Sequence, residues 1–252
     1  MALNVNTVYT TVLSILNKEQ RGYLTPYEFN QIATQVQLEI FEKFFEDYNQ
    51  YIRMPKTDVE FASRMDHIRE EFQVFEMTEF ADNTNPPTSN VYDQPTNLHR
   101  FGSASWNKGT NSPPIEIVSN RDYNQLKLSP LTHPTNNFPV AKYQQDKLTV
   151  FPSPTVFSYT DVTFNYIRKP ADVIWAYGVN PTLGNYIWDG TPGFSLTPVI
   201  PSGGSVNFEI SDSQQTEVII SILKYAGVII RDPQIIQAAS SELAQSEANT
   251  KR

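Results

Sequence analysis

The side chains that could act as metal ligands, nucleophiles or general acids are few and scattered along the chain. His67, His99 and His133 stand in unrelated contexts, without the short spacings that bring metal ligands together on one turn or helix face. The chain has no cysteine, which excludes a disulfide, a thiolate metal site and a cysteine nucleophile. Glu70, Glu71 and Glu76 fall on or beside one predicted helix, where solvated charge explains them without a catalytic pair.

Two short motifs resemble functional loops but lack a defining residue. The run GSAS at residues 102–105 has no closing glycine for a nucleophile elbow. The glycine pair at residues 203–204 is followed by neither a lysine nor a helix start, so it does not form a phosphate-binding loop. We therefore predict a protein that is not an enzyme, with no catalytic residue, no cofactor-binding residue and no metal ligand.

The segment at residues 175–194, WAYGVNPTLGNYIWDGTPGF, is rich in aromatic residues and glycine and has no clear periodicity. Its side chains Trp175, Tyr177, Tyr186 and Trp188 could stack on sugars or bases if the segment projects as a loop. The same side chains could instead form an oligomer interface or pack within the loop. The sequence leaves these alternatives open.

The elements that would position this loop are organised around one long helix. Thr25 and Glu28 form a capping box at its start, and Pro26 stands at the first helical position, where its missing N–H costs nothing. Apolar residues then recur at spacings of three and four as far as residue 52. The pattern predicts an amphipathic helix whose wide apolar face needs partners along its whole length.

Two further helices flank the long helix in the sequence. The first covers residues 6–20 with Asn6 as its cap, and the other runs from about residue 58 to residue 77. The apolar seam of this third helix could face the long helix or another copy of the chain. We predict the first arrangement, with Phe72 of the seam buried against Phe44 of the long helix.

Between residues 83 and 211 the helical periodicity stops, and the chain becomes rich in Pro, Asn, Ser, Thr and Tyr. Prolines stop several of the strand patterns, which favours edge strands and irregular loops over a regular barrel. The run SGGS at residues 202–205 predicts a hairpin turn. The predicted strands cover residues 115–118, 147–151, 162–167 and 206–210.

Helical periodicity returns at residue 212. The stretch at residues 218–230 is apolar nearly all round but too short to span a bilayer, so it predicts a central helix buried by several neighbours. A last helix starts with Pro233 at its first position.

The simplest fold that satisfies these elements is α+β and discontinuous. Residues 1–82 and 212–252 together form a helical bundle, with three helices from the N-terminal part and two from the C-terminal part. Residues 83–211 form a β-rich, Pro-rich insertion that leaves the bundle at one end. The bundle is shared because the apolar C-terminal helix needs surroundings that only the N-terminal helices can provide.

The net charge of -8 is unevenly distributed. Residues 1–80 hold 7 Lys/Arg and 13 Asp/Glu residues, whereas residues 81–211 hold 8 and 9. Affinity for nucleic acid comes from neutralised phosphates, so this protein is a poor candidate for binding DNA. An acidic surface could still line a passage through which DNA slides. We expect no signal peptide, and this expectation together with the missing cysteines favours assembly in a cytosol.

Three stretches of the chain resemble one protein family. Residues 6–50, NTVYTTVLSILNKEQRGYLTPYEFNQIATQVQLEIFEKFFEDYNQ, are similar to the opening of a structural protein of the crAss-like tailed bacteriophages. Residues 222–252, ILKYAGVIIRDPQIIQAASSELAQSEANTKR, resemble the close of the same family. The run YIRKPADVIW at residues 166–175 resembles its middle.

The resemblance implies a virion structural protein that forms a ring in the head-to-tail connector, or collar, between portal and tail. It implies self-association in twelve copies that match the symmetry of the portal, and contacts with the portal protein and with neighbouring tail or ring proteins. DNA would only pass through the lumen, without specific binding. The particle would be assembled in the cytoplasm of the bacterial host, and no membrane would be involved.

Two other classes of protein stay open. One is a carbohydrate- or receptor-binding tail module, which would use the aromatic loop at residues 175–194. The other is a tail enzyme that degrades cell-wall polymer, which would need a carboxylate pair that the sequence does not reveal.

Overall fold

The structure, a computed structural model, has the mixed α+β fold that the sequence predicts, with helices and a large curled seven-stranded sheet. It describes residues 2–18, 23–53, 69–81, 90–107, 112–153, 158–230 and 233–250 of the 252-residue chain. The chain forms two compact units. Met1–Val74 and Pro170–Arg252 make up the terminal unit, and Phe75–Lys169 makes up the sheet unit. Residues 170–211, which the sequence analysis placed in the insertion, therefore lie in the unit of the two chain ends.

The regular elements below are those of the described residues. The helices are α1 (Val5–Lys18), α2 (Pro26–Arg53), α3 (Asn120–Leu128), α4 (Gln215–Ile230) and α5 (Pro233–Thr250). The strands are β1 (Glu76–Phe80), β2 (Val91–Asp93), β3 (Leu98–Trp106), β4 (Pro114–Ile117), β5 (Val140–Gln144), β6 (Lys147–Phe151), β7 (Val162–Arg168), β8 (Tyr177–Val179) and β9 (Tyr186–Trp188).

The two N-terminal helices start at side-chain caps. The capping box of α2 is confirmed: the Thr25 N–H donates to Glu28 Oε2 at 3.0 Å, and the Glu28 N–H donates to Thr25 Oγ1 at 3.3 Å. The predicted cap of α1 is wrong, because Asn4 takes that role. Its Oδ1 accepts from the N–H groups of Asn6, at 2.8 Å, and Thr7, at 3.2 Å. An Asn at either position could cap, and the structure places the first turn two residues earlier than the periodicity suggested.

Helix α4 is buried as predicted. Val218, Ile222 and Ala226 have no solvent exposure, and no side chain between residues 217 and 227 is classed as exposed. The helix contacts α1, α2 and α5. These contacts surround an apolar stretch that could not face water on any side.

The third predicted helix ends earlier than expected. Residues 54–68 lie outside the described residues; residues 69–72 are helical, and β1 begins at Glu76, so the predicted helical end at residue 77 is wrong. The cause is long-range: β1 pairs with β7 along its whole length, and this ladder overrides the local helical pattern. The predicted contact is confirmed, since the rings of Phe72 and Phe44 lie 6.2 Å apart and both side chains are buried.

The sheet unit is built on a seven-stranded sheet with the order β1-β7-β3-β4-β5-β6-β2. All neighbours are antiparallel except β4 and β5, which are parallel and are joined through α3. Parallel neighbours need such a crossover because a tight turn cannot join them. Buried residues alternate along the strands, as expected for one covered face. The buried cluster comprises Ala81, Tyr92, Ala104, Trp106, Ile115, Ala141, Leu148, Val150, Val162, Phe164 and Tyr166.

Three of the four predicted strands are confirmed as β4, β6 and β7, within about one residue at each end. The fourth, at residues 206–210, is wrong, because only Val206 makes a bridge there. The predicted hairpin at residues 202–205 is wrong for the same reason. Its flanking residues Val206 and Ile200 pair with Ile174 and Tyr177 instead of with each other.

Candidate functional site

The terminal unit contains an open groove of about 510 Å³ that is lined mainly by aromatic side chains. We call it the aromatic groove. The lining residues are Tyr9, Thr10, Leu13, Tyr23, Trp175, Gly184, Asn185 and Tyr186. Tyr23 and Tyr186 are 56% and 38% exposed, whereas Tyr9 and Trp175 are buried. The groove therefore has an accessible rim above a fixed aromatic floor.

The extended segment that carries Trp175 is held by side chains of helix α2. The Trp175 N–H donates to Asn30 Oδ1 at 2.8 Å, and Asn30 Nδ2 donates to the Trp175 carbonyl at 3.3 Å. One helical turn later, Thr34 Oγ1 accepts from the Val173 N–H at 3.1 Å and lies 3.4 Å from the Val173 carbonyl oxygen. These side chains take the place of a neighbouring β-strand.

Gln37 continues this ladder at the next turn of α2. Its Nε2 donates to the Ala171 carbonyl at 2.7 Å, and its Oε1 accepts from the Glu209 N–H at 2.9 Å. The Glu209 carboxylate in turn accepts from the Ala171 N–H at 3.0 Å. The four helical residues from Asn30 to Thr34 rise by about 6 Å, and two residues of strand rise by about 6.6 Å, so the two spacings match there. The three residues from Thr34 to Gln37 rise by only about 4.5 Å, and the longer glutamine side chain spans the difference. This match fixes the segment at residues 171–175 against α2.

Aromatic contacts run from the floor of the groove to its rim. The ring of Trp175 lies 4.5 Å from that of Tyr9 and 5.8 Å from that of Tyr177, between centroids. Tyr177 meets Tyr186 edge to face at 4.8 Å. Such pairs contribute about 0.5–1.5 kcal/mol each beyond the area that they bury. Polar bonds hold the floor rigidly, because Trp175 Nε1 donates to Asn6 Oδ1 at 3.0 Å.

A tight turn presents the outer wall of the groove. The side chain of Asn180 accepts from the N–H groups of Thr182, at 2.9 Å, and Leu183, at 3.3 Å, and its carbonyl accepts from the Gly184 N–H at 2.8 Å. Gly184 has φ +70°, in the left-handed region that glycine adopts without strain. The turn brings Asn185 and Tyr186 to face helix α1.

The groove is uncharged near neutral pH. Burial, followed by the neighbouring Tyr23 phenol, raises the pKa of Tyr9 well above its usual value. Burial also raises the pKa of Tyr177, with smaller contributions from Tyr186 and Tyr23. Both hydroxyls thus stay neutral, and that of Tyr9 donates to the Leu24 carbonyl at 3.1 Å. The groove offers aromatic faces and neutral polar groups to a ligand.

Of the four aromatic residues singled out in the sequence, Trp175 and Tyr186 line the groove. Tyr177 contacts both of their rings without being part of the lining, and Trp188 is not part of it either. Its Nε1 donates to Ser205 Oγ at 2.9 Å, and a Cβ at Gly190 would come within 2.5 Å of its ring. The Ser205 hydroxyl also accepts from the Ala176 N–H at 3.0 Å and donates to Asp189. These bonds occupy the hydroxyl, and Trp188 packs within the loop.

The candidate catalytic motifs remain apart. His99 lies on β3 and His133 lies in the connection between α3 and β5, whereas His67 falls outside the described residues. The GSAS run at residues 102–105 lies within β3. In the described ranges no three His, Asp or Glu side chains come together as metal ligands. The aromatic groove is therefore the site that the structure supports best.

Sequence reasoning missed half of this groove. The missed residues come from the first predicted helix and from the link that follows it, and they are Tyr9, Thr10, Leu13 and Tyr23. Tyr9 is adjacent to the buried Val8 on α1, so an aromatic residue beside the apolar stripe was the available signal. Trp175, whose ring contacts that of Tyr9, lies about 165 residues away in the chain, and spacing alone cannot reveal such a contact.

No protein-family model and no curated protein matches this chain. Within the described residues, no helix combines the length and the apolar character that a membrane-spanning helix needs.

Proposed function

We propose that this protein is a non-enzymatic virion protein that forms a ring in the head-to-tail connector of a crAss-like tailed bacteriophage. The observation that carries the proposal is where the three resembling stretches lie. Residues 6–50 supply α1 and most of α2, and residues 222–252 supply most of α4 and all of α5. Most of the middle stretch, residues 170–175, is bonded to α2 through Asn30 and Thr34. Stretches far apart in the sequence thus fall in one compact unit.

The finer architecture is part of the proposal. Three N-terminal and two C-terminal helices form one discontinuous bundle, from which the β-rich part leaves at one end. The contacts of α4 with α1, α2 and α5 support this arrangement, as does the bonding between the chain start and the segment before α4. In that segment the Leu3 N–H donates to the Ile210 carbonyl at 3.2 Å, and the Phe208 N–H donates to the Leu3 carbonyl at 3.1 Å.

The charge distribution suits a ring around DNA. The terminal unit holds 11 Lys/Arg and 19 Asp/Glu residues, whereas the sheet unit holds 8 of each, so the whole net charge of -8 lies in the terminal unit. A lumen formed by the terminal unit would repel the phosphate backbone and let DNA slide during ejection. The ring has twelve copies, contacts the portal and a neighbouring tail or ring protein, and belongs to a virion assembled in the host cytoplasm.

A second candidate function rests on the aromatic groove. Its exposed Tyr23 and Tyr186 could stack on a sugar ring, as carbohydrate-binding surfaces do. This would make the chain a receptor-binding tail module. A cell-wall-degrading enzyme is favoured less, because the lining of the groove, as described, contains no carboxylate.

The mass of the purified protein in solution tests the proposal. A closed ring of twelve copies has twelve times 28.7 kDa, or about 340 kDa, and a central opening that negative-stain images resolve. A stable monomer or trimer that binds a glycan array would contradict the ring and favour the receptor-binding module.

A further inference from the structure

We propose that an exposed apolar loop in the sheet unit of one copy inserts into the aromatic groove in the terminal unit of a second copy. The apolar loop is the segment at residues 128–138, between α3 and β5. This inference specifies the subunit contact of the proposed ring and rests on that proposed function.

The apolar loop exposes three large side chains. Leu128, Leu131 and Phe138 are 84%, 97% and 78% exposed. Single exposed apolar residues are normal, but three within eleven residues concentrate exposed apolar surface in one short segment, as interaction sites do. The tip has a defined shape, since Thr135 and Phe138 exchange two backbone hydrogen bonds, at 3.3 and 3.1 Å. The loop therefore presents Phe138 on a fixed turn.

The aromatic groove has room for such side chains. Its volume of about 510 Å³ lies within the range of about 300–1,000 Å³ that ligand-binding clefts occupy. Its rim tyrosines, Tyr23 and Tyr186, are accessible, and its floor is buried and rigid. An inserted phenylalanine would gain edge-to-face contacts with these rings, in addition to burial of its own apolar surface.

Charge favours the same pairing. The loop is flanked by Arg121, Lys127 and Lys142, with Asp122 as the single acidic residue between positions 119 and 142. The terminal unit that would receive it carries the net charge of -8. Opposite potentials steer association and disfavour the alternative in which two terminal units meet. A second copy of this chain is therefore the occupant whose loop matches the groove in apolar character and the terminal unit in charge.

A contact between two different surfaces of identical chains is heterologous. Such contacts produce a closed ring when the rotation between copies closes, and an open filament when it does not. A two-fold dimer, by contrast, would pair like surfaces. The proposed insertion thus predicts head-to-tail association, which is the symmetry that a connector ring needs.

Cross-linking tests the contact directly, because the natural chain has no cysteine. Leu131→Cys and Asn185→Cys are made as two single variants of the full chain, mixed and oxidised. We expect a disulfide-linked dimer in the mixture that is at least tenfold more abundant than in either variant alone. The matched control replaces Leu131→Cys by Phe80→Cys, which also alters an exposed apolar residue of the sheet unit but lies on the edge strand β1.

The outcomes separate this inference from the ring itself. Equal cross-linking by Phe80→Cys, or no mixed cross-link while the natural protein is a large ring, would overturn the insertion and leave the ring standing. A monomeric natural protein that still gives the specific mixed cross-link would support the insertion and contradict the ring.

A second variant tests the same contact without cysteine. Leu131→Ser with Phe138→Ser should weaken self-association at least tenfold, measured by sedimentation over a concentration series, with an unchanged melting temperature. Phe80→Ser should leave the association unchanged. If the double variant associates as the natural protein does, the loop is not the contact.

Discussion

The terminal unit and the sheet unit provide hydrogen-bond partners for extended backbone in different ways. In the sheet unit, β7 lies between β1 and β3, and backbone groups of its neighbours complete both of its ladders. In the terminal unit, the segment at residues 171–175 lies along helix α2, where side chains of Asn30 and Thr34 provide the bonds. A backbone ladder survives most side-chain substitutions, whereas a side-chain ladder depends on each amide and hydroxyl. The terminal unit should therefore be the more sensitive of the two to single polar substitutions.

The two units also differ in charge and exposed apolar surface. The terminal unit carries all of the net charge, and the sheet unit is neutral yet exposes the apolar loop. If both units were equally charged, copies could associate in several orientations with similar free energy. The asymmetry gives each copy a distinct donor surface and a distinct acceptor surface, which is what heterologous association requires.

The largest expected effect concerns the aromatic cluster under α2. Replacing Phe44 or Phe72 by Ala removes a buried ring that contacts the other and should lower the free energy of unfolding by about 3–5 kcal/mol. Equilibrium denaturation in urea measures this loss. Trp106 reports on the sheet unit, and Trp175 and Trp188 report on the terminal unit, when single-tryptophan versions are compared.

The control for this prediction is the exposed Val74, whose replacement by Ala should change stability by less than about 0.5 kcal/mol. Losses below about 1 kcal/mol for both phenylalanine variants would contradict the assignment of Phe72 to the core of the terminal unit.

The next largest effect tests the side-chain ladder. Gln37→Leu keeps the volume but leaves the Ala171 carbonyl and the Glu209 N–H without their partner, so we expect a loss of about 2–4 kcal/mol. The matched control is Gln35→Leu on the exposed side of the same helix, which should stay within about 0.5 kcal/mol. Equal effects of the two substitutions would show that the polar ladder is not what holds the segment.

The helices α1, α2, α4 and α5 could be predicted because their signals are local, whereas the short helix α3 within the β-rich stretch was missed. The capping box at Thr25, the apolar period of α2 and the all-round apolar stretch of α4 each lie within one element. The strands β1, β2, β3, β5, β8 and β9 were missed because their patterns are short or alternate weakly, and pairing with strands outside each pattern defines them. Residues 73–77 show the conflict clearly: the predicted helical pattern continues there, but the ladder that starts at Glu76 and pairs with β7 determines the structure.

The candidate site was predictable only in part, for the same physical reason. An aromatic loop could be recognised from composition, and Trp175 and Tyr186 do line the groove. The sequence could not separate Trp188, which packs inside the loop, or assign Tyr9 to the floor of the groove. The docking of residues 171–175 on α2 relies on polar residues at positions 30, 34 and 37 of an otherwise amphipathic helix. In a single sequence, such residues cannot be distinguished from polar residues on the solvent-exposed face of a helix.

A smaller effect is expected at high pH in the sheet unit. Burial, followed by the nearby Glu79 carboxylate, raises the pKa of Tyr166 to about 12. Its hydroxyl lies 2.8 Å from Glu79 Oε2 and 2.7 Å from Asn97 Oδ1. Because the folded state holds the proton more tightly than the unfolded state, this contribution is full below pH about 10 and is lost as pH rises through about 12. Tyr166→Phe should reduce the decline of sheet-unit stability between those pH values, as measured by urea denaturation at each pH. An unchanged decline would mean that other groups cause it.

The smallest expected effect is on DNA. The isolated protein should not shift a labelled duplex at about 50 mM salt, a condition in which non-specific binders hold on, because several phosphates must be neutralised at once and the terminal unit repels them. A variant makes the absence of a shift informative: Gln35→Lys, Glu42→Lys and Glu46→Lys together place three cations on one exposed face of α2. If this face borders the DNA passage, the variant should bind duplex DNA and slow ejection, and binding should weaken steeply as salt is raised.

A clear shift by the natural protein at micromolar concentration would contradict a non-binding lumen and favour a role in handling DNA. If the variant, like the natural protein, does not bind duplex DNA, this face of α2 does not border the passage. The charge asymmetry would then act between copies.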